Sequence, residues 1–188
     1  MPKQKVFSLL FNANPLYQRC LDLVPREEVD FEIITDQYLG NQSLNSRAAS
    51  DGERVYHLKN HPDWWYLDAD TYVYKWPDFK MEPGCPYIYN QNGNWDNSII
   101  LGNGCKWFFD YMFERFDPSR QIIWYLEIFK ELEDKIKPIP TGYFNHMAFN
   151  GMHDFAIQTG KRIGGKGFSA QYTNGLWDLQ IDKFQTVI

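Results

Sequence analysis

A chain of 188 residues with 44% hydrophobic and 18% aromatic content has enough apolar surface to bury a sizeable core, which excludes a disordered segment. Its formal net charge of −5 excludes an extended nucleic-acid surface, which needs clustered Lys and Arg to displace counterions. Cys20, Cys85 and Cys105 are widely spaced and odd in number, so they predict neither a zinc site nor a disulfide framework, and they point to a reducing, cytoplasmic setting.

The first segment, KVFSLLF (5–11), is an apolar run of strand length ended by the turn signal NANP. It is too short for a secretory leader, and no later stretch approaches the roughly eighteen uncharged apolar residues of a membrane span. PLYQRCLDLV reads as a helix, VDFEIIT (29–35) as a second strand, and SRAASDGERVYHLKN as a helix stopped before Pro62. HPDWWYLDADTYVYKW (61–76) supplies the third strand and, at YVYKW, a short fourth. PDFKMEPGCP reads as a loop, NSIILG (97–102) as a strand, and CKWFFDYMFERF as a helix.

DPSRQIIWYLEIFKELEDKIK carries the strongest helical period, with Asp117 as cap, Pro118 in the first turn and Ile122, Leu126, Phe129, Leu132 and Ile136 recurring at three and four. Short strands and loops follow, including a basic, Gly-rich GKRIGGKGF that lacks the Walker pattern. Strand, helix, strand, helix, strand within about seventy residues predicts an α/β fold with right-handed crossovers. Such sheets bind ligands outside the carboxyl ends of their strands, where Asp68 and Asp70 fall.

Those two aspartates are the first candidate site. Residues i and i+2 of a strand point the same way, so the two carboxylates can converge on one cation, and oxygen ligands suit Mg²⁺ or Mn²⁺. A solvated turn after the strand is the competing reading. One helix upstream, Asp51 and Arg54 are three apart and project from one face. Taken alone, that spacing describes a surface ion pair worth a few tenths of a kcal/mol.

In company, these residues resemble a family. The stretch AASDGERVYHLKNHPDWWYLDADTYV looks like the donor-binding core of DXD-type glycosyltransferases, nearest to glycosyltransferase family 32, which includes capsular-polysaccharide and mannosyl transferases. Ser50, Asp51 and Arg54 match its Ser-Asp-x-x-Arg, and Tyr66, Leu67, Asp68 and Asp70 its YLD-x-D strand, although Trp64 and Trp65 stand where the family has two glycines. The resemblance implies a single-domain, GT-A-like fold over 1–188 with a mixed, mainly parallel sheet flanked by helices and a donor-binding core at about 5–155. It further implies transfer of a sugar from a UDP- or GDP-sugar to a glycan, protein or small-molecule acceptor, with retention and with Mn²⁺ or Mg²⁺ as cofactor. Asp51 and Arg54 would then hold donor hydroxyls and contribute little to folding. Asp68 and Asp70, as the catalytic pair, would hold the donor and its metal.

WDNSIILGNGCKWFFDYM looks like the family's Asn-rich turn, strand and helix, which puts Asn97 beside the donor sugar. His153 in NGMHDF is the candidate third metal ligand, with His146 as its rival, and Asn12 falls where the nucleotide base sits in the family. Two other functions compete. The apolar strand and acidic pair also resemble the first motif of haloacid dehalogenase-type phosphatases, with Asp68 as nucleophile and Asp70 as acid/base. A non-catalytic sugar- or nucleotide-binding module is the third.

Overall fold

The structure is a computed structural model that describes residues 2–11, 15–22, 24–39, 46–69, 71–73, 76, 79–91, 93–120, 123–140, 144–147 and 169–172. In chain order its elements are β1 (Gln4–Leu9), α1 (Pro15–Asp22), β2 (Val29–Ile34), α2 (Ser46–Asn60), β3 (Trp65–Leu67) and β4 (Thr71–Val73). These are followed by β5 (Tyr87–Gln91), β6 (Asn94–Leu101), α3 (Lys106–Glu114), a 3₁₀ turn (Pro118–Arg120), α4 (Ile123–Glu131), β7 (Lys137–Pro138), β8 (Phe144–Met147) and β9 (Ser169–Tyr172).

Six strands form one sheet in the order β2-β1-β3-β6-β5-β7. The β1–β2, β1–β3 and β5–β7 ladders are parallel and the β3–β6 and β5–β6 ladders antiparallel, which is the mixed, mainly parallel α/β sheet expected. Strand alternation sends neighbouring residues to opposite faces and builds two cores. Phe7, Tyr66, Ile88 and Ile100 face Val55, Leu58, Phe108, Phe109 and Phe129 of α2, α3 and α4. Val6, Trp65, Leu67 and Ile99 face Val24, Val73 and Trp76 on the other side.

The short strand expected at YVYKW forms at Thr71–Val73, outside the main sheet: β4 pairs with β9, and β9 with β8, in a separate three-stranded sheet. Tyr87–Gln91 is a strand that the sequence reading passed over, and it forms a hairpin with β6, which starts at Asn94. Asn97, expected to open a strand, therefore lies inside one that begins three residues earlier.

The longest expected helix is broken. Asp117 accepts hydrogen bonds on its side chain from the backbone N and Oγ of Ser119 at 2.9 and 2.6 Å and on its carbonyl from Arg120 N at 3.1 Å, which closes a 3₁₀ turn, and α4 runs only from Ile123 to Glu131. That phase buries Trp124, Tyr125, Ile128 and Phe129 and leaves Leu126 38% exposed, while Ile122 lies outside the described residues. The chain then turns after α4 so that β7 can pair with β5.

Gly102 sets the depth at which β3 and β6 meet. A Cβ there would lie 2.4 Å from the carbonyl oxygen of Pro62 and 2.6 Å from that of Trp64, both backbone atoms with nowhere to go. Its nitrogen donates to Trp64 O at 3.1 Å and its oxygen accepts from the Trp65 indole at 3.1 Å. Gly102→Ala is therefore expected to destabilise the protein by about 1–3 kcal/mol, the usual range for overpacking. Urea unfolding at pH 7 checks this; an unchanged midpoint would mean that 62–64 can give way.

Candidate active site at the end of β3

β1, β2 and β3 run parallel, so their carboxyl ends share one edge of the sheet, and Asp68 is the first residue beyond β3. Its backbone is fixed there: the Asp68 nitrogen donates to Ser98 O at 2.8 Å, and Thr71 N donates to Asp68 O at 3.0 Å. Helix α2 brings Asp51 and Arg54 to the same place, and β6 brings Asn97.

The four side chains form one hydrogen-bonded network with Arg54 at its centre. Arg54 donates from one terminal nitrogen to Asn97 O at 2.8 Å, and from the other to the Tyr66 hydroxyl at 3.0 Å and to Asp68 Oδ1 at 2.8 Å. The same guanidinium lies 3.4 Å from Asp51 Oδ1, which accepts a second contact from Asn97 Nδ2 at 3.0 Å. Tyr66 donates to Asp68 Oδ1, and its ring packs under the guanidinium at 4.2 Å. Arg54 and Asp51 are only 4% and 3% exposed, so they form a buried pair and not the surface pair that spacing alone describes. The expectation that they matter little for folding is accordingly corrected: a buried charge stripped of its partner is expensive.

The charges explain the protonation behaviour. Burial works against the Arg54 cation, but the oxygens of Tyr66, Asp68 and Asp51 outweigh it and keep the guanidinium charged. Burial lifts the Asp68 carboxyl to about 6. Arg54 and the Tyr66 hydrogen bond pull the other way, while the negative charges of Asp96 and Asp51 push it further up. Burial likewise raises the Tyr66 phenol well above its ordinary value, so it stays a donor. Two polar atoms of this buried cluster, Asp51 Oδ2 and Arg54 Nε, have no hydrogen-bond partner among the described residues.

Of the residues singled out from sequence, Asp51, Arg54, Asp68 and Asn97 are brought together. Asp70, Asn12 and His153 lie outside the described residues, as does the side chain of His146. Among the described residues no group of three or more His, Cys, Asp or Glu is placed to hold a metal ion. Tyr66 was missed as a site residue. Strand alternation already put it on the face of Asp68, two residues on. No helix among the described residues is long and apolar enough to cross a membrane.

The fold is one that a glycosyltransferase adopts. The crystal structure of a glycosyltransferase involved in the glycosylation of the major capsid of PBCV-1 superposes with a TM-score of 0.62, over 93% of this chain and 94% of that one. The two sequences are 12% identical, so the likeness is one of fold. No protein-family model and no curated protein matches the sequence.

Proposed function

We propose that this protein is a nucleotide-sugar glycosyltransferase, resembling family 32, that uses Mg²⁺ or Mn²⁺ and transfers a sugar with retention. One observation carries the reading: a buried Asp51–Arg54–Asn97–Asp68 network stands at the carboxyl end of β3, in a fold that a glycosyltransferase shares. A buried carboxylate oxygen without a partner among the described residues, Asp51 Oδ2, is unfavourable in the free protein and fitted to accept a hydrogen bond from a donor hydroxyl. Arg54 orients both carboxylates, and Tyr66 fixes the rotamer of Asp68 through its hydroxyl.

Asp68 and Asp70, with His153 as a further ligand, would hold the cation; carboxylate oxygens are the ligands that hard divalent ions prefer. Bound there, the cation would supply Lewis-acid stabilisation of charge on the departing diphosphate. Asn97 would sit beside the donor sugar and Asn12 beside the base. The acceptor attacks from the face the diphosphate leaves, so no protein nucleophile is required. Two free, buried thiols, Cys85 and Cys105, support a reducing, cytoplasmic setting.

Incubation with Mn²⁺ and a panel of UDP- and GDP-sugars tests the activity. Slow release of free sugar from one donor is expected, and no release from any donor would count against the proposal. Asp70→Ala should remove the metal-dependent part of nucleoside diphosphate affinity in calorimetry. Unchanged affinity in the folded variant would sink the metal assignment.

A further inference from the structure

Glu53 and His57 lie one turn apart on α2, and both are buried, at 1% and 7% exposure. Neither belongs to the network around Arg54. Glu53 Oε1 accepts a hydrogen bond from the Leu39 backbone nitrogen at 2.6 Å. Leu39 lies in the segment that leaves β2 at the carboxyl edge of the sheet. The other Glu53 oxygen is buried without a hydrogen-bond partner among the described residues, and so is Nε2 of His57, 3.9 Å away. At that distance the two do not hydrogen-bond.

The imidazole is boxed in by rings: Tyr38 edge-on at 5.2 Å, Tyr56 edge-on at 5.4 Å and Phe7 tilted at 5.5 Å. Tyr38 also stacks on Tyr56 at 5.9 Å, although it is one of the most exposed aromatics of the described residues. Gly52 leaves room for Leu39 beside α2, since a Cβ there would lie 3.2 Å from Leu39 Cδ1 and 2.8 Å from the Phe116 ring. Tyr38 and Leu39 thus rest on α2 against one carboxylate and one imidazole.

We propose that Glu53 and His57 form a pH-operated clasp that holds residues 36–39 on α2, closed while His57 is neutral and released when His57 takes up a proton.

The closed clasp shields Nε2 of His57 from water. Burial holds the His57 imidazole below its ordinary value, the nearby His61 adds to that, and Glu32 on β2 opposes both. Glu53 faces it from its own helix, and the phenols of Tyr38 and Tyr56 face it from the segment and from α2. β1 contributes only the Phe7 ring, while Lys59 on α2 is directed away over Phe113 of α3 at 4.2 Å. Since closure depresses the affinity of His57 for a proton, acid must favour the state in which the imidazole reaches water. The clasp is fully stable above pH 6.5, the ordinary imidazole value, and weakens as pH falls through it.

Hydrogen exchange of the Leu39 amide, expressed as a protection factor between pH 7.5 and 5.5, tests this without any substrate. A negative result therefore leaves the glycosyl-transfer proposal untouched. In the wild-type protein the protection of Leu39 should fall severalfold over this range, while amides of β1 and β3 hold theirs. His57→Gln should flatten the pH dependence, and Glu53→Leu should lower Leu39 protection at every pH. Protection of Leu39 that does not change with pH, or a His57→Gln profile like the wild type, overturns the clasp. If either variant fails to fold, the wild-type series against its β1 and β3 amides still decides.

Discussion

Arg54→Ala is expected to destabilise the protein by about 3–5 kcal/mol at pH 7, the range for removing one partner of a buried ion pair. The site holds one cation against two carboxylates, and the substitution leaves Asp51 and Asp68 facing each other with no positive charge between them. The hydrogen bonds to Asn97 O, Tyr66 and Asp68 vanish with it. The deficit should shrink as pH is lowered, because the stranded Asp68 takes up a proton. Arg54→Lys should recover only part of the stability, since one ammonium cannot reproduce a planar fork that reaches three partners. Urea unfolding across pH 5 to 8 measures both effects. A loss below about 1 kcal/mol would mean the network tolerates bare carboxylates, and the premise of a tightly organised donor site would fall with it.

Asp68→Asn is expected to do the opposite to stability while harming function. With its pKa raised from 3.8 to about 6, Asp68 binds its proton more tightly folded than unfolded. The stability this brings is fully present below pH 3.8 and lost as pH rises through 6. At about 1.4 kcal/mol per unit, the ionised carboxylate costs the fold on the order of 2–3 kcal/mol at pH 7.5. Asparagine keeps an acceptor for Arg54 and Tyr66 and leaves Arg54 balanced by Asp51 alone. In EDTA the variant should therefore melt higher than wild type at pH 7.5 and alike near pH 4; a lower melting temperature at pH 7.5 would contradict the charge argument.

The same variant bears on chemistry. In a transferase, losing this carboxylate weakens nucleoside diphosphate and metal binding. In a phosphatase it removes the nucleophile. Mass spectrometry of the wild-type protein with a generic phosphate ester and fluoride analogues should show no adduct on Asp68; a trapped aspartyl-phosphate would replace the transferase proposal. A stabilising substitution at a functional carboxylate is the familiar trade between activity and stability.

The sequence by itself determined the strand–helix–strand–helix–strand order of the first seventy residues, because apolar runs, caps and Pro62 are local signals that no distant contact overrides here. It also placed Asp68 at a strand's carboxyl end and Asp51 and Arg54 on one helical face, since both follow from the fixed periods of strand and helix. Local patterns cannot report whether an ion pair is buried, and spacing alone made Asp51–Arg54 a surface pair. Only the packing of α2 against β3 and β6 turned it into the centre of a network, with Tyr66 and the Asn97 backbone as further partners. The break before α4 was a local contest, in which the turn at Asp117 overrides a helical period. The place of β5 was a tertiary decision, since long-range pairing puts it between β6 and β7. The Glu53–His57 contact belongs with these, because the segment that Glu53 holds reaches α2 only when the whole fold is in place.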